Sequence, residues 1–106
     1  MTPNQLLNLL SWVSEQVSAD VQIQTLRAFL FVASRGSCTQ KDVEVNLQIT
    51  GSSASRNISY WTHRRFDKEE GVGFIDRQED DEDRRLKKLV LTPAGQAFYK
   101  KLKEKL

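Results

Sequence analysis

A mainly α-helical domain carrying one small β-hairpin, the α+β arrangement of a winged helix-turn-helix, is the fold class this sequence predicts, and three stretches predict it. A short helix beginning near Thr39 is broken at Ile49-Thr50-Gly51 and followed by a second helix whose two faces differ in polarity. Gly73-Phe74-Ile75-Asp76-Arg77-Gln78 then reads as a strand, and Arg84 to Leu91 as its hairpin partner across the acidic run Glu79-Asp80-Asp81-Glu82-Asp83. The second strand runs directly into Thr92-Pro93-Ala94-Gly95, a capped helix start.

The 106 residues are enough for one ordinary core, so residues 1–106 are expected to form a single winged-helix domain with no room for a separate catalytic one. Within it, the helix-turn-helix is expected over about 39–65, the wing over about 73–91, and flanking helices over about 3–17, 21–35 and 93–105. An apolar fraction of 39% with 28% charged residues is that of a globular chain, and no apolar run approaches the roughly 18 residues of a membrane span. No membrane partner is expected. The start, Met1-Thr2-Pro3-Asn4-Gln5, lacks the basic opening of a secretion signal, and the single cysteine, Cys38, has no internal disulfide partner; both agree with a cytoplasmic location. Cys38 reads as a small semi-buried residue at the start of a helix rather than as a redox sensor. The net charge of +2 is too small to identify a nucleic-acid ligand, so the distribution of charge has to.

Along the first helix, Leu6, Leu10, Val13 and Val17 form one apolar stripe at helical spacing, with Leu7 and Trp12 off it and available for a wider core contact or a subunit interface. Asp20 is placed to cap a second helix from Val21 to about Arg35, which Gly36 ends. Its centre, Phe29-Leu30-Phe31-Val32-Ala33, is apolar nearly all round and predicts the buried spine. Thr39 is a good N-cap for the third helix, with Asp42 in the first turn and Val43 and Leu47 facing inward. Thr50 can cap the next. In the last helix Phe98 and Leu102 give an inward stripe, and Lys100, Lys101, Lys103 and Lys105 a solvated tail.

The polarity split of the fourth helix carries the functional reading. From Gly51 to about Arg65, Ala54, Ile58 and Trp61 group on one side, while Ser52, Arg56, Ser59, Tyr60 and His63 group on the other. Such a surface suits a helix laid in the major groove of double-stranded DNA. Short serines, Ser52 and Ser53 among them, allow close approach, Arg56 can donate two hydrogen bonds to guanine, and Asn57 on the flank can pair with an adenine edge. Tyr60, His63 and Arg64 extend the same surface. In the hairpin, the acidic tip would be repelled by phosphates, but Arg84, Arg85, Lys87 and Lys88 follow at once, and Asp83 can orient one arginine while the other enters a minor groove. The acidic cluster lacks the turn glycine and terminal glutamate of a calcium loop. No metal ligand set, cofactor motif or catalytic constellation is recognisable: His63 is the only histidine, and Ser52, Ser53 and Ser55 have no base and no glycine elbow.

Thr39-Gln40-Lys41-Asp42-Val43 through Leu47-Gln48-Ile49-Thr50, then Ser55-Arg56, Gly73-Phe74-Ile75-Asp76-Arg77, Asp83-Arg84-Arg85 and Leu91-Thr92-Pro93-Ala94-Gly95 resemble the winged-helix core of the MarR family of transcriptional regulators. The most specific part is the Asp-Arg-Arg wing joined to Leu-Thr-Pro-Ala-Gly. The resemblance implies a homodimer on pseudo-palindromic operators, the helix with Ser55-Arg56 in the major groove and a wing arginine in the minor groove. It also implies that a small-molecule effector can act on the protein, without identifying one. Two features depart from the family pattern. The link 62–70 is several residues longer, which predicts either a longer recognition helix or an extra loop beside the DNA, and the final helix is short for a family whose dimer is built from long terminal helices. The competing expectation is an architectural or protein-interaction module using the same fold.

Overall fold

The computed structural model describes residues 1–63, 70–79 and 87–106. These residues run α1 (Pro3–Gln16), α2 (Ile23–Arg35), β1 (Ser37–Thr39), α3 (Gln40–Leu47), α4 (Gly51–Trp61), β2 (Ile75–Glu79), β3 (Lys87–Leu91) and α5 (Pro93–Glu104). The three strands form an antiparallel sheet of order β1-β3-β2, so the fold is the α+β winged helix predicted from the sequence.

Local chemistry explains most element starts. The Thr39 hydroxyl accepts from the Asp42 N–H at 3.2 Å while the Asp42 carboxylate accepts from the Thr39 N–H at 2.9 Å, a reciprocal capping box at α3. Thr2 and Gln5 make the same arrangement at α1, with Pro3 in the first turn, a cap not anticipated from the sequence. Thr50 caps α4 through the Ser53 N–H, and Thr92 caps α5 through the Gly95 N–H ahead of Pro93. Gly36 ends α2, as expected. The start of α2 differs from expectation: the helix begins at Ile23 with Gln22 at the N-cap and no side-chain cap bond, while the Asp20 carboxylate accepts from the Ser18 hydroxyl inside the preceding loop. Val21 is drawn onto the core before the helix begins.

Phe29, fully buried on α2, is the hub of the core. Its ring lies 4.8 Å from Trp61, 5.4 Å from Phe98 and 6.1 Å from Phe74, so α4, α5 and the start of the wing meet on one residue. Each such ring buries on the order of 150–250 Å² of apolar surface, the dominant driving force available to a domain of this size. This cluster also resets the phase of α1. Trp12 stacks on Phe98 with centroids 5.1 Å apart and planes 6° off parallel, so Leu9, Trp12, Val13 and Val17 face the core. Leu6 and Leu10, expected inward, are 46% and 42% exposed, and Leu7 is 61% exposed. Burying a tryptophan gains more than burying one leucine, and a helix can turn only one stripe inward.

β1 was absent from the sequence reading. Cys38 sits in it opposite Leu89 of β3, buried, and not at the start of a helix. Desolvation, with Asp42 nearby and Arg35 opposing, pushes its thiol up to about 11, far from the low value of a reactive cysteine. At the other edge β2 and β3 pair from Ile75 opposite Leu91 to Glu79 opposite Lys87. The acidic tip and Arg84 and Arg85 fall in 80–86, outside the described residues. Gly95 shows why a glycine opens α5: a Cβ there would lie 2.1 Å from the Phe74 carbonyl oxygen, which also accepts from the Thr92 N–H at 3.0 Å.

Candidate nucleic-acid interface

α3 and α4 are joined through Gln48, whose left-handed φ of 56° turns the chain before Thr50 caps the new helix. The expected extension of α4 to about Arg65 does not occur: it ends at Trp61. Four backbone N–H groups then return to its C-terminal end, Gly71 to His63, Val72 to Tyr60, Gly73 to Thr62 and Phe74 to Trp61, at 2.7–3.3 Å. A Cβ on Gly71 would stand 1.9 Å from the Thr62 carbonyl oxygen, so this approach requires glycine. The extra link therefore leaves and rejoins the domain at nearly one point, and of the two expectations for it the longer helix is corrected. Arg64 lies in 64–69, outside the described residues.

On α4, Ser52 and Arg56 are exposed, Ser53, Ser55 and Tyr60 are half-buried, and His63 is exposed just past the helix end. This is the polar outer strip expected, with two exceptions. Ser59, placed outward by the helical wheel, is 4% exposed. It shares a stripe with Ser55, whose carbonyl accepts from the Arg77 guanidinium of β2 at 3.1 Å. Burial lowers Arg77 from its ordinary value, and its bond ties α4 to the wing strand β2.

Asn57 is the second exception and a correction of a candidate DNA contact. It is 8% exposed, and its amide is spent inside the protein. Its Oδ1 accepts from the Thr25 hydroxyl at 2.6 Å, and its Nδ2 donates to Gln24 Oε1 at 2.8 Å and to the Ser53 carbonyl at 2.9 Å. Both N–H donors are used inside the protein, so the donor that a paired contact with an adenine edge needs is not available. The reason is tertiary: α2 crosses α4 at this point, and the same crossing brings Trp61 Nε1 to the Thr25 carbonyl at 2.7 Å. Ser53 joins the network by donating its hydroxyl to Gln24 Oε1 at 2.8 Å, which places it beside the outer strip but faces its hydroxyl inward. Gln24, Thr25 and Arg77 were not singled out as functional residues in the sequence. Arg77 stood within the family-like motif, but nothing local signals the partners of Gln24.

Between α4 and the α1–α2 loop lies a polar cleft of about 340 Å³ to which Arg56, Tyr60, Gln24 and Gln22 contribute. Tyr60 rests edge-on against Trp61 at 5.2 Å, so one side of its ring is anchored to the core. In the hairpin, Lys87 is exposed and reaches Glu79 across the strands at 3.4 Å, an exposed pair of the kind that contributes little to stability. Its ammonium remains at the solvent side of the wing. Among the described residues no group of three or more His, Cys, Asp or Glu could hold a metal ion, and no helix is long and apolar enough to cross a membrane.

No protein-family model and no curated protein matches the sequence. Solved structures do match. The YusO protein from Bacillus subtilis superposes with a TM-score of 0.71 at 16% identity over 96% of this chain and 64% of that one. A MarR-like transcriptional regulator from Thermotoga maritima gives 0.69 at 23% identity over 99% and 75%. A cysteine-substituted MarR from E. coli, solved with operator DNA, gives 0.65 at 14% identity over 81% and 56%. This chain is thus similar to MarR-type regulators in fold: it has a MarR-like winged helix. It spans 64% of the YusO chain and 56% of the operator-bound MarR chain.

Proposed function

We propose that this protein is a sequence-specific regulator that binds double-stranded DNA as a homodimer. The observation that carries the reading is α4: capped at its start, locked to α2 on one side, and presenting Ser52 and Arg56 to solvent on the other. Small side chains beside one guanidinium are what a helix needs to enter a major groove and donate to guanine. Tyr60 and His63 continue the strip, and Lys87, with Arg84 and Arg85 of the sequence, supplies the wing. The operator complex of the E. coli MarR supports this reading by likeness of fold.

Of the two uses open to Trp12, the core contact holds, so the proposed two-fold face rests on other residues. Leu6, Leu10 and Leu106 stand exposed along an apolar cleft of about 490 Å³ between α1, α2 and α5, with Leu7 exposed on the same helix α1. A two-fold partner that covers these leucines accounts for apolar side chains a lone domain gains nothing by exposing. Selection of bound fragments from random duplex tests specificity, symmetry and half-site spacing together. Arg56→Ala is expected to cost about 1–3 kcal/mol on the selected site and to relax one base pair per half-site. Replacing Arg84 and Arg85 with Ala should weaken binding to every duplex and lower the salt slope by about one unit per lost contact. The acidic run at the wing tip favours one other reading, an interaction module with weak DNA binding. A small ratio of specific to random binding across a salt titration would select that module over the regulator.

A further inference from the structure

Gln24 of α2 holds an unusual position in the network behind α4. Its Oε1 accepts from both Ser53 Oγ and Asn57 Nδ2, each at 2.8 Å, which occupies both lone-pair directions of the oxygen. Asn57 is itself fixed by Thr25 and by the Ser53 carbonyl, so its bond to Gln24 Oε1 orients the amide plane of Gln24. The Gln24 NH2 group must then point opposite the network. Gln24 lines the cleft shared with Arg56, and among the described residues no hydrogen bond runs from its Nε2.

We propose that Gln24 is a positioning residue for DNA binding, whose Nε2 donates to a backbone phosphate flanking the base pairs read by Arg56. This deepens the DNA-binding reading and rests on it. The chemistry selects phosphate over a base. With its acceptor consumed, Gln24 offers donors only, and phosphate oxygens only accept, whereas the paired contact of a glutamine with adenine needs one of each. The location agrees, because Gln24 stands on the neighbouring helix beside α4, where the wall of a groove filled by α4 would run. The contact is also wired to the reader. The same oxygen that orients the donor is held by two side chains of α4, so a phosphate bound at Gln24 fixes the depth and rotation of the helix carrying Arg56.

The test uses the full chain and duplexes from random selection. Gln24→Glu keeps the acceptor for Ser53 and Asn57 and replaces the donor by an anion. It is expected to melt near the wild type but to bind all duplexes about tenfold more weakly, with base preference unchanged and the salt slope reduced by up to about one unit. A methylphosphonate scan of the duplex backbone supplies the second measurement. One neutralised phosphate next to the Arg56 base pair should weaken the wild type while leaving Gln24→Ala indifferent, which reads the contact without relying on the Glu variant folding. Equal binding by wild type and Gln24→Glu, a change in base preference, or equal sensitivity of both proteins at every phosphate overturns the contact while the regulator reading stands. A wild type that binds no duplex at low salt overturns both.

Discussion

α2 and α4 are held together by directed hydrogen bonds, whereas α1 and α5 are held by stacked rings, and the two joints constrain their helices differently. At the α1–α5 end, Trp12 lies flat on Phe98, with Lys105 over the outer face of Trp12 at 4.9 Å and Lys103 over Tyr99 at 4.8 Å. Area burial of this kind is strong but non-directional, so it fixes that two helices touch and tolerates small slides between them. At the α2–α4 crossing, Thr25 and Gln24 of α2 and Asn57, Ser53 and the Trp61 indole of α4 share four side-chain hydrogen bonds that fix rotation and register as well as distance. In the proposed DNA-binding reading, a surface that aims Arg56 at one base pair needs the second kind of joint, and the proposed leucine-covering interface can use the first.

Trp61 belongs to both kinds of joint, so its substitution has the largest expected effect. Trp61→Ala should lower unfolding free energy by about 3–5 kcal/mol in urea titrations, and Trp61→Phe, which keeps most of the area but loses the bond to Thr25, by about 1–2 kcal/mol. Similar losses in the two variants would mean that the indole N–H matters more than the ring. Trp12→Ala comes next, at about 2 kcal/mol, because the ring is only half-buried, and base preference should survive. Asn57→Ala should cost less stability, about 1–2 kcal/mol, yet relax preference in selection from random duplex, since α4 would lose its register. If Trp12→Ala relaxed preference and Asn57→Ala did not, the division between the two joints would be wrong.

Smaller effects sharpen the same contrast. Leu7→Lys with Leu10→Lys should change unfolding of the dilute chain by less than about 0.5 kcal/mol, the usual range for exposed positions, while shifting light scattering from dimer to monomer. A dimer that persists would place the interface elsewhere. The sheet offers the least effect at neutral pH. Because burial raises Cys38 to about 11, folding favours the neutral thiol, so this contribution is complete below the ordinary thiol value and fades as pH rises toward 11. Wild type should therefore lose stability faster than Cys38→Ala across pH 9–11, and the folded thiol should react slowly with a thiol reagent at pH 8.

What could be read from the residues in advance follows the range of each interaction. The capping box at Thr39 and Asp42, the caps at Thr50 and Thr92 and the end of α2 at Gly36 close within about four residues of chain, and each is visible as a short pattern. The strand pair of the wing and the outward Ser52 and Arg56 follow from the same short periods, so the sequence by itself determined the winged-helix order and the polar strip on α4. Tertiary structure alone decided the phase of α1, the existence of β1 and the fate of Asn57 and Ser59. The phase of α1 was set by Phe98, which lies at the far end of the chain, and the inward turn of Asn57 by Gln24 and Thr25, 33 and 32 residues away. A polar side chain carries no local mark of whether its partner will be water, DNA or another helix. Only the crossing of α2 over α4, fixed by burial of Phe29 and Trp61, made that choice.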